Sequence, residues 1–253
     1  MNVQDNSPAG KPDQLKIALI GYGKMGRAIE AIALQKGHEV VLRITSQNAS
    51  ELTKENLQKA DVAIEFTNPH RAVEHIKTCI DSGTPVVCGS TGWLQQWDEV
   101  HSYCLGHHGS LLYASNFSIG VNIFFEINRK LATMMAVQQS YDVTIEEVHH
   151  THKKDAPSGT AITLAEDILH RVPYKTSWSG MPSGDKKSLT ITSKRIDPAP
   201  GTHIVLYESA IDSIEIKHTA HNREGFARGA LLAAEFLFHK QGVFSMKDVL
   251  NIK

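Results

Sequence analysis

The chain has 253 residues, of which 41% are hydrophobic and 21% are charged, a composition typical of a globular protein with one large or two modest domains. We expect two domains. The formal net charge of -1 provides no basic surface for nucleic acid or an acidic membrane. These values favour a small-molecule ligand that is held in a local pocket.

The cysteines and the start of the chain both favour the cytoplasm. Cys79, Cys88 and Cys104 are an odd number without CxxC spacing, which fits reduced thiols better than a disulfide framework. No apolar run approaches the roughly 20 residues of a membrane span. Residues 1–14 are polar and lack the apolar core of a secretion signal, so we expect them to be disordered.

Strands and helices alternate between residues 15 and 118. The strand LKIALI is followed by a glycine loop, a helix that Gly37 closes, and the strand EVVLRI. A helix from Asn68-Pro69 to Gly83 and another after Trp93 separate three further apolar strands, at 61–66, 85–92 and 110–117. The alternation predicts an α/β fold, a Rossmann-like dinucleotide-binding domain whose mostly parallel sheet is covered on both faces.

The pattern changes after Ile119. An apolar helical stretch leads to the strand YDVTIEEVHH, and a further helix is predicted from Ser158 to about Arg171. Residues 176–188 are rich in Gly, Ser and Pro and predict a surface loop. SLTITSKRI, THIVLYES and DSIEIKHTA then alternate like antiparallel strands with one face in solvent.

These patterns predict two further segments after the dinucleotide-binding domain of residues 15–118. Residues 119–224 form an α+β domain with a mixed or antiparallel sheet, which we expect to bind substrate and to form the oligomer. A helix from about Gly225 opens a C-terminal segment, 225–253, that we expect to return to the first domain.

The glycine loop GYGKMG meets the GxGxxG pattern through Gly21, Gly23 and Gly26. Between a strand and a helix, such a loop presents backbone N–H groups and the positive helix end to a pyrophosphate. A tight turn alone also explains these glycines, but their place at the first βα turn favours binding. Lys24 and Arg27 either add positive charge there or lie solvated at the helix start.

The end of the second strand, Arg43-Ile44-Thr45-Ser46, lacks the carboxylate that an NAD-preferring site offers to the ribose hydroxyls. Arg43, Thr45 and Ser46 are compatible with a 2′-phosphate, so the sequence favours NADPH and permits NADH. Arg43 can equally point elsewhere, since strand side chains alternate. Small and hydroxyl residues at the later strand ends suit a cofactor that lies across the sheet; they are Thr67, Gly89, Ser90, Thr91, Gly92, Ala114 and Ser115.

Residues 146–161, EEVHHTHKKDAPSGTA, concentrate titratable nitrogen beside a helix start. His149 and His150 point to opposite sides of the strand, and H-H-x-H is not a spacing that compact zinc sites commonly use, so we expect no metal. Histidine exchanges protons near neutral pH, which makes His149 a candidate acid, and Lys153 adds a positive charge. A solvated strand edge is the alternative, and we prefer it for Lys154.

The helix that follows predicts an anion site. Pro157 suits its first turn, and Ser158, Gly159 and Thr160 provide N–H groups at its positive end. Together with the cations before it, this helix start predicts a pocket for a small acid beside a proton donor. Ser158 or Asp155 can alternatively serve only as a helix cap.

VHHTHKKDAPSGTA closely resembles the signature of the 4-hydroxy-tetrahydrodipicolinate reductases, also called dihydrodipicolinate reductases, of the diaminopimelate route to lysine. GYGKMGR, EFTNP, GSTGW, SNFSIGVN and HTAHNREGFARGA are similar to other segments of that family, so the resemblance covers most of the chain. It implies that His149 is the proton donor and Lys153 its catalytic partner. The residues it implies for the substrate carboxylates are His150, Ser158, Gly159 and Thr160. The residues it implies around the cofactor are Gly21, Gly23, Lys24, Met25, Gly26, Phe66, Thr67, Gly89, Thr91, Gly92, Ser115, Asn116 and Phe117.

The resemblance implies reduction of a cyclic conjugated imine by a nicotinamide hydride, in a cleft between two domains of a homotetramer. Lys153 and the helix N–H groups would hold the dicarboxylate and draw electron density from its ring. The chain differs from the family pattern at three places. Its glycine loop is one residue shorter than GxGGRMG, no acidic residue follows the second strand, and Leu232 stands where some members have Arg.

Three other functions are compatible with parts of this pattern. A semialdehyde dehydrogenase requires a nucleophilic cysteine, for which Cys88 is the nearby candidate. A redox-sensing protein would bind NADP without using His149 and Lys153. A metal hydrolase would bind zinc through the histidine run and lose activity to a chelator.

Overall fold

The structure is a computed structural model that describes residues 14–181, 184–222 and 224–252. Apart from residue 14, the segment expected to be disordered lies outside the described residues. The strands are β1 (Lys16–Ile20), β2 (Glu39–Ile44), β3 (Val62–Glu65), β4 (Val86–Cys88), β5 (Ser110–Tyr113), β6 (Asp142–His149), β7 (Ser177–Ser179), β8 (Ser188–Arg195), β9 (Gly201–Glu208), β10 (Ser213–Ala220) and β11 (Gly242–Phe244). The helices are α1 (Lys24–Gln35), α2 (Lys54–Leu57), α3 (Pro69–Ser82), α4 (Trp97–Gly106), α5 (Ile119–Met135), α6 (Gly159–Leu169), α7 (Glu224–Leu237) and α8 (Met246–Val249).

The chain divides into two compact units. The first comprises Met1–Phe117 together with Ala227–Lys253, and the second comprises Ser118–Phe226. The C-terminal helix α7 and the strand β11 therefore belong mostly to the first unit. No helix within the described ranges is both long enough and apolar enough to cross a membrane.

The first unit contains a six-stranded parallel sheet in the order β11-β5-β4-β3-β1-β2. The order reverses between β1 and β3, so their carboxyl ends flank the topological switch point where ligands bind in open α/β sheets. The predicted Rossmann-like domain is confirmed. The edge strand β11 was not predicted, because its three residues are too few to reveal the alternation of apolar and polar residues that marks a strand.

Alternating residues of β1 belong to separate apolar cores on the two faces of this sheet. Ile17 and Leu19 pack with residues of α1 and α7, whereas Ala18 and Ile20 pack with residues of α3 and α4. Burying one such Ile or Leu side chain stabilises the fold by roughly 2 kcal/mol. Strands buried on both faces read as continuous apolar runs, which is the pattern of LKIALI.

Local signals explain the ends of α1 and α3. Gly37 follows α1 with a φ of +88°, and Gly83 ends α3 with a φ of +77°, a region that glycine reaches without strain. The side chain of Asn68 accepts a hydrogen bond from the N–H of His70, and Pro69 is the first residue of α3.

The second unit contains a five-stranded sheet in the order β10-β9-β6-β8-β7. β9 pairs antiparallel with β6 and β10, but β8 pairs parallel with β6, so the sheet is mixed. The expectation that SLTITSKRI is an antiparallel strand was wrong. Alternation shows which side chains are buried and does not distinguish strand direction; the connection from β6 through α6 is what places β8 parallel.

Helices α5 and α6 cover one face of this sheet. The core between them contains Val143 and Ile145 of β6, Ile191 of β8 and Val205 of β9. The opposite face is half-exposed and includes Ile204. The sheet therefore has one face in the core of the unit and one face open.

Two local expectations for this unit need correction. The predicted surface loop 176–188 contains β7, which pairs in parallel with β8, and its residues 182 and 183 lie outside the described residues. Pro157 does not lie in the first turn of α6. It precedes the N-cap Ser158 and follows a cis peptide bond from Ala156.

A close approach of α7 to the chain after β5 predicts a strict requirement for Gly229. A Cβ atom at this position would lie 1.7 Å from the carbonyl oxygen of Phe117. Gly229→Ala should therefore lower the free energy of unfolding by about 2 kcal/mol or more, because the overpacked backbone must shift. Urea unfolding followed by circular dichroism measures the loss.

The matched control is Gly106→Ala at the end of α4, where a Cβ atom would meet nothing within 4 Å. This variant should leave the stability unchanged or raise it by up to about 1 kcal/mol, because alanine favours a helix. Equal stabilities of the two variants would contradict the close packing at Gly229.

Candidate active site

The glycine loop follows β1 at the switch point of the first sheet. Gly21 has a φ of +96°, and a Cβ atom there would lie 2.1 Å from the carbonyl oxygen of Phe66, so only glycine fits. Around Gly23 a Cβ atom would meet nothing within 4 Å. Packing within the protein therefore does not require glycine at position 23. A bound pyrophosphate would explain this glycine, because it comes close to the backbone at the second glycine of such a loop.

A cavity of about 490 Å³ lies at the carboxyl ends of β1, β2 and β3. Its volume falls within the range of small-molecule and cofactor sites. It is lined by Gly21, Tyr22, Gly23, Ile44, Thr45, Ser46, Ala49, Phe66, Thr67, Asn68, Arg71 and His75. This list includes five residues that were predicted to contact a cofactor: Gly21, Gly23, Thr45, Phe66 and Thr67.

Helix α1 begins beside this cavity without a side-chain cap from the described residues and without an acidic residue in its first turn. Helices α3, α5 and α6 differ, because Asn68, Ser118 and Ser158 cap them. An uncapped helix start leaves N–H groups and partial positive charge for an anion. Lys24, Met25 and Gly26, the first residues of α1, therefore fit the pyrophosphate of a dinucleotide.

The other predicted cofactor residues follow β4 and β5 at the same edge of the sheet. Gly89 is required by packing, since a Cβ atom there would lie 2.1 Å from the ring of Phe66. The Phe66 and Phe117 rings lie 5.6 Å apart. Thr91, Gly92, Ser115 and Asn116 lie in the turns after these strands.

Buried Glu65, which the sequence patterns did not single out, connects two of these turns. Its Oε1 accepts hydrogen bonds from the N–H of Thr67 and the hydroxyl of Ser90, both at 3.0 Å. Burial alone would raise the pKa of Glu65, but hydrogen bonds from its neighbours, His75 first, outweigh it and lower that pKa. One anionic side chain thus holds the chain after β3 to the turn after β4.

Arg43 contacts Glu30 of α1, and it is not among the cavity-lining residues. Its Nε lies 2.7 Å from Glu30 Oε1, and its Nη1 donates to the carbonyl of Val40 at 3.1 Å. Tyr22 also donates to Glu30. This is the alternative that strand alternation left open, in which Arg43 points away from a cofactor.

The predicted catalytic stretch is organised around Glu147 of β6. Glu147 and His149 lie on the side of β6 that faces α5 and α6, and the side chain of Glu147 is fully buried. Burial alone would raise the pKa of Glu147, but hydrogen bonds outweigh it and hold that pKa far below its usual range. Oε1 accepts hydrogen bonds from the N–H of Ser158 and from Arg195, and His149 lies in contact with Oε2.

Strand register brings these donors together. Glu147 is opposite His203 of β9 and Ser193 of β8, and His149 is opposite Arg195. His149 Nδ1 lies 3.2 Å from Glu147 Oε2. The carboxylate therefore lies where it can orient the imidazole.

Arg195 connects Glu147 to the loop that carries Lys153. One of its Nη2 contacts is Glu147 Oε1 at 3.1 Å, and the other is the carbonyl of Asp155 at 2.6 Å. The Nζ of Lys153 lies 2.7 Å from the exposed carboxylate of Asp155. Exposed ion pairs of this kind are weak, so Lys153 can exchange Asp155 for a substrate carboxylate.

Ser158 is engaged more fully than the sequence suggested. Its N–H donates to Glu147 Oε1 at 3.1 Å, and its hydroxyl caps α6 by accepting from the N–H of Ala161 at 3.3 Å. That hydroxyl also lies 3.1 Å from His203 Nε2. None of the described residues accepts a hydrogen bond from the N–H of Gly159 or Thr160, so these two remain for an anion.

Glu147, His149 and His203 also place one possible metal ligand each within 4.8 Å of one another. The H-H-x-H spacing did not indicate this set, because two of its members lie outside that run. A divalent ion here would face the guanidinium of Arg195, 3.1 Å from the carboxylate. The positive charge of Arg195 therefore disfavours a divalent ion at Glu147.

Cys88 lacks the properties of a nucleophile. It is fully buried, and burial raises the pKa of its thiol well above the usual value, with the nearby carboxylate of Glu65 adding to the effect. Reactive cysteines require the opposite, a lowered pKa and access to substrate. The geometry at Cys88 argues against a semialdehyde dehydrogenase.

Two family descriptions match consecutive parts of the chain. "Dihydrodipicolinate reductase, N-terminus" matches residues 15–117, and "Dihydrodipicolinate reductase, C-terminus" matches residues 120–250. The chain belongs to the dihydrodipicolinate reductase family. It is accordingly an oxidoreductase, and the resemblance inferred from the sequence is confirmed.

Similar proteins agree with this membership. A 4-hydroxy-tetrahydrodipicolinate reductase of Christiangramia forsetii is 46% identical over 239 residues, covering 94% of this chain and 98% of its own. One of Methanoregula boonei is 32% identical over 78% of this chain and 77% of its own. The dipicolinate-bound dihydrodipicolinate reductase of Paenisporosarcina sp. TG-14 superposes with a TM-score of 0.78 at 22% identity, covering 95% of this chain and all of its own, which shows the common fold.

For this reductase-family chain, sequence reasoning missed Glu147, His203 and Arg195 of the catalytic cluster. The sequence did offer a signal for Glu147. It lies two residues before His149 in EEVHH, and residues at this spacing on a strand share one face. His203 and Arg195 gave no such signal, because only pairing with β9 and β8 brings them to the site.

The titration of His203 predicts a pH-dependent stability. Burial, followed by the neighbouring His149, lowers the pKa of His203 to about 4 from an ordinary 6.5. Between those values the unfolded chain binds a proton that the folded chain does not, so stability falls as the pH drops through this window. From pH 7 to pH 5 the free energy of unfolding should therefore fall by about 2 kcal/mol less in His203→Gln than in the unaltered protein.

Urea unfolding at the two pH values measures this difference. The matched control is His170→Gln, since His170 is exposed at the end of α6 and should leave the pH dependence unchanged. Parallel curves for His203→Gln and the unaltered protein would contradict the buried, neutral state of His203.

Proposed function

We propose that the chain converts 4-hydroxy-tetrahydrodipicolinate to tetrahydrodipicolinate in the diaminopimelate route to lysine. The 4-hydroxyl group leaves as water, and the resulting conjugated imine takes up one hydride from a nicotinamide dinucleotide and one proton. The observation that carries the proposal is the contact of His149 with buried Glu147, in a cluster that Arg195 connects to the loop of Lys153. This arrangement offers an oriented acid and a cation near the start of α6. Membership of the family and the named relatives support the same reaction.

The substrate is a dicarboxylate, and the second unit offers groups of complementary charge. Lys153 and the N–H groups of Gly159 and Thr160 bind one carboxylate, with His150 and the N-cap region of Ser158 around them. The dipole of α6 favours the same anion. Holding the ring in a fixed position lowers the entropic part of the barrier, and the cations stabilise charge that develops on it.

His149 supplies the proton. Its Nδ1 faces Glu147, which leaves Nε2 for the substrate carbon that becomes electron-rich. A bound nicotinamide supplies the hydride. Lys153 is the partner of His149, because its positive charge polarises the substrate and favours proton release toward it.

We propose NADPH as the preferred cofactor, with NADH also accepted. The supporting observations are the cavity beside the glycine loop, the uncapped start of α1 and the absence of any carboxylate among the residues that line the cavity. The proposed contacts are Gly21, Gly23, Lys24, Met25, Gly26, Thr45, Phe66, Thr67, Gly89, Thr91, Gly92, Ser115, Asn116 and Phe117; Arg43 is left out, because its guanidinium is engaged by Glu30 and the carbonyl of Val40.

The assembly that we propose is a homotetramer formed through the second unit. The half-exposed sheet face that includes Ile204 supports it, since such a face is stabilised by burial against another copy. The cytoplasm is the proposed compartment, because all three cysteines are free thiols.

The reductase reaction predicts a specific loss in two variants. Purified protein is supplied with NADPH or NADH and with substrate made in place by the preceding synthase from pyruvate and aspartate semialdehyde. Cofactor oxidation should require the synthase product. His149→Gln and Lys153→Ala should lower kcat by roughly 10²- to 10⁴-fold, because each removes a group that acts on the reacting ring.

Cofactor dissociation constants should change by less than about twofold in both variants, since neither residue lies in the first unit. His152→Gln and Lys154→Ala are matched controls that remove an exposed neighbour of the same type and should keep full activity. A protein that binds a cofactor yet oxidises neither would instead be a redox-sensing binding protein.

The proposed tetramer predicts a change of mass on substitution of its sheet face. Ile204→Lys places a charge on the open side of β9 and should shift the particle mass in light scattering from four chains toward two or one. Leu105→Lys on α4, a half-exposed position of the first unit, is the control that should leave the mass unchanged. A monomer before any substitution would exclude the tetramer.

A further inference from the structure

The cavity beside the glycine loop contains one residue with a permanent positive charge, Arg71 of α3. Its other basic lining residue is His75, which is buried and lies 3.3 Å from the hydroxyl of Thr67 and 3.6 Å from Glu65. No aspartate or glutamate is among the lining residues. Among the described residues that line this cavity, Arg71 is therefore the full counter-charge that an entering anionic group meets.

Arg43, the cation that the sequence placed at the end of β2, is held elsewhere. It contacts Glu30 through Nε and Nη2 and the carbonyl of Val40 through Nη1. Burial alone would raise the pKa of Glu30, but hydrogen bonds from Tyr22 and Arg43 outweigh it and keep that pKa below its usual value. Arg43 would have to break three hydrogen bonds, made to Glu30 Oε1 and the carbonyl of Val40, to reach a phosphate, and it would leave an anion behind.

Arg71 is held much less tightly. Its recorded ion pair is with Glu74 one helical turn away, at 3.3 Å, and the two side chains are 50% and 60% exposed. Exposed pairs of this kind contribute little, so the exchange of Glu74 for a phosphate costs little. The planar guanidinium also matches a phosphate with two parallel donors, which a lysine cannot do.

The loop after β2 provides a second donor. The hydroxyl of Thr45 is already engaged, since it donates to Asn48 Oδ1 at 2.8 Å and accepts from the N–H of Gln47. Ser46 is exposed and lines the cavity, and its side chain forms no hydrogen bond to the described residues. Ser46, at the end of β2, and Arg71, in α3 after β3, are thus polar lining side chains with room for a new partner.

We propose that Arg71, with Ser46, binds the 2′-phosphate on the adenosine ribose of NADPH and is the residue that sets the preference for NADPH over NADH. The end of β2 is where the adenosine ribose lies in folds of this class, and the cavity extends from there to the start of α3. This inference rests on the proposed use of a nicotinamide dinucleotide. It assigns the discrimination to α3 instead of Arg43.

The test measures binding of the two cofactors without substrate. Dissociation constants for NADPH and NADH are determined by cofactor fluorescence for the unaltered protein, Arg71→Gln and Arg43→Gln. Arg71→Gln should weaken NADPH binding by roughly 10- to 100-fold, the loss of hydrogen bonds to a charged group, and should change NADH binding by less than about twofold. Arg71→Lys, which keeps the charge and loses the paired donors, should fall between.

Two controls separate a phosphate contact from a general effect of charge or folding. Lys77→Gln removes a positive charge from the same helix outside the cavity and should leave the ratio of the two constants unchanged. The fragments 2′,5′-ADP and 5′-ADP, titrated by calorimetry, should differ in affinity for the unaltered protein and converge for Arg71→Gln. These fragments report the phosphate contact independently of the nicotinamide.

If the ratio of the dissociation constants for NADPH and NADH were unchanged in Arg71→Gln, this inference would be wrong and the proposed reductase function would be unaffected. If Arg43→Gln reduced the preference for NADPH over NADH more than Arg71→Gln, this inference would be wrong as well, and the phosphate contact would be assigned to Arg43 of β2. Binding of neither dinucleotide by the unaltered protein would overturn the proposed function and this inference together.

Discussion

The burial of the Glu147 carboxylate is the constraint on which the second unit depends. A charged group with no exposed surface is tolerated only when donors surround it, and removing one donor would leave an uncompensated charge. Those donors come from three places: the strand of Glu147 itself, Arg195 of β8 and the N–H of Ser158 at the start of α6. The position of α6 and the register of β8 are therefore fixed by the same carboxylate that orients His149.

The same carboxylate also determines the charge that a substrate would meet. Arg195 is largely neutralised by Glu147, and the low pKa of His203 keeps that ring uncharged at neutral pH. Neither Arg195 nor His203 thus offers a free positive charge to an acidic ligand, which leaves Lys153 as the foremost cation near Glu147. A weakly paired cation on the loop that follows an oriented imidazole suits a small acid that must be bound, reduced and released.

Local signals predicted more of this fold than of its sites. Strand alternation, Gly37, Gly83 and the Asn68-Pro69 cap act within a few residues, and the elements that they predicted are present. Other features depend on partners that are distant in the sequence. Arg43 contacts Glu30, 13 residues away, and Glu147 pairs with His203, 56 residues away. The direction of a strand likewise depends on the distant strand with which it pairs. No short pattern encodes such partners, which is why β8 was assigned the wrong direction and His203 was missed.

Both sites follow one rule about which cations remain available. Arg43 and Arg195 each contact a carboxylate and backbone carbonyls through several donors, so a ligand would have to replace a complete set of contacts. Lys153 and Arg71 are paired with single exposed carboxylates, and such pairs are weak because water competes for both partners. A sequence shows where the cations are, but the strength of their existing contacts decides which of them can bind a substrate or a phosphate. On this basis Lys153 and Arg71 are the two side chains of this chain best suited to meet its anionic ligands.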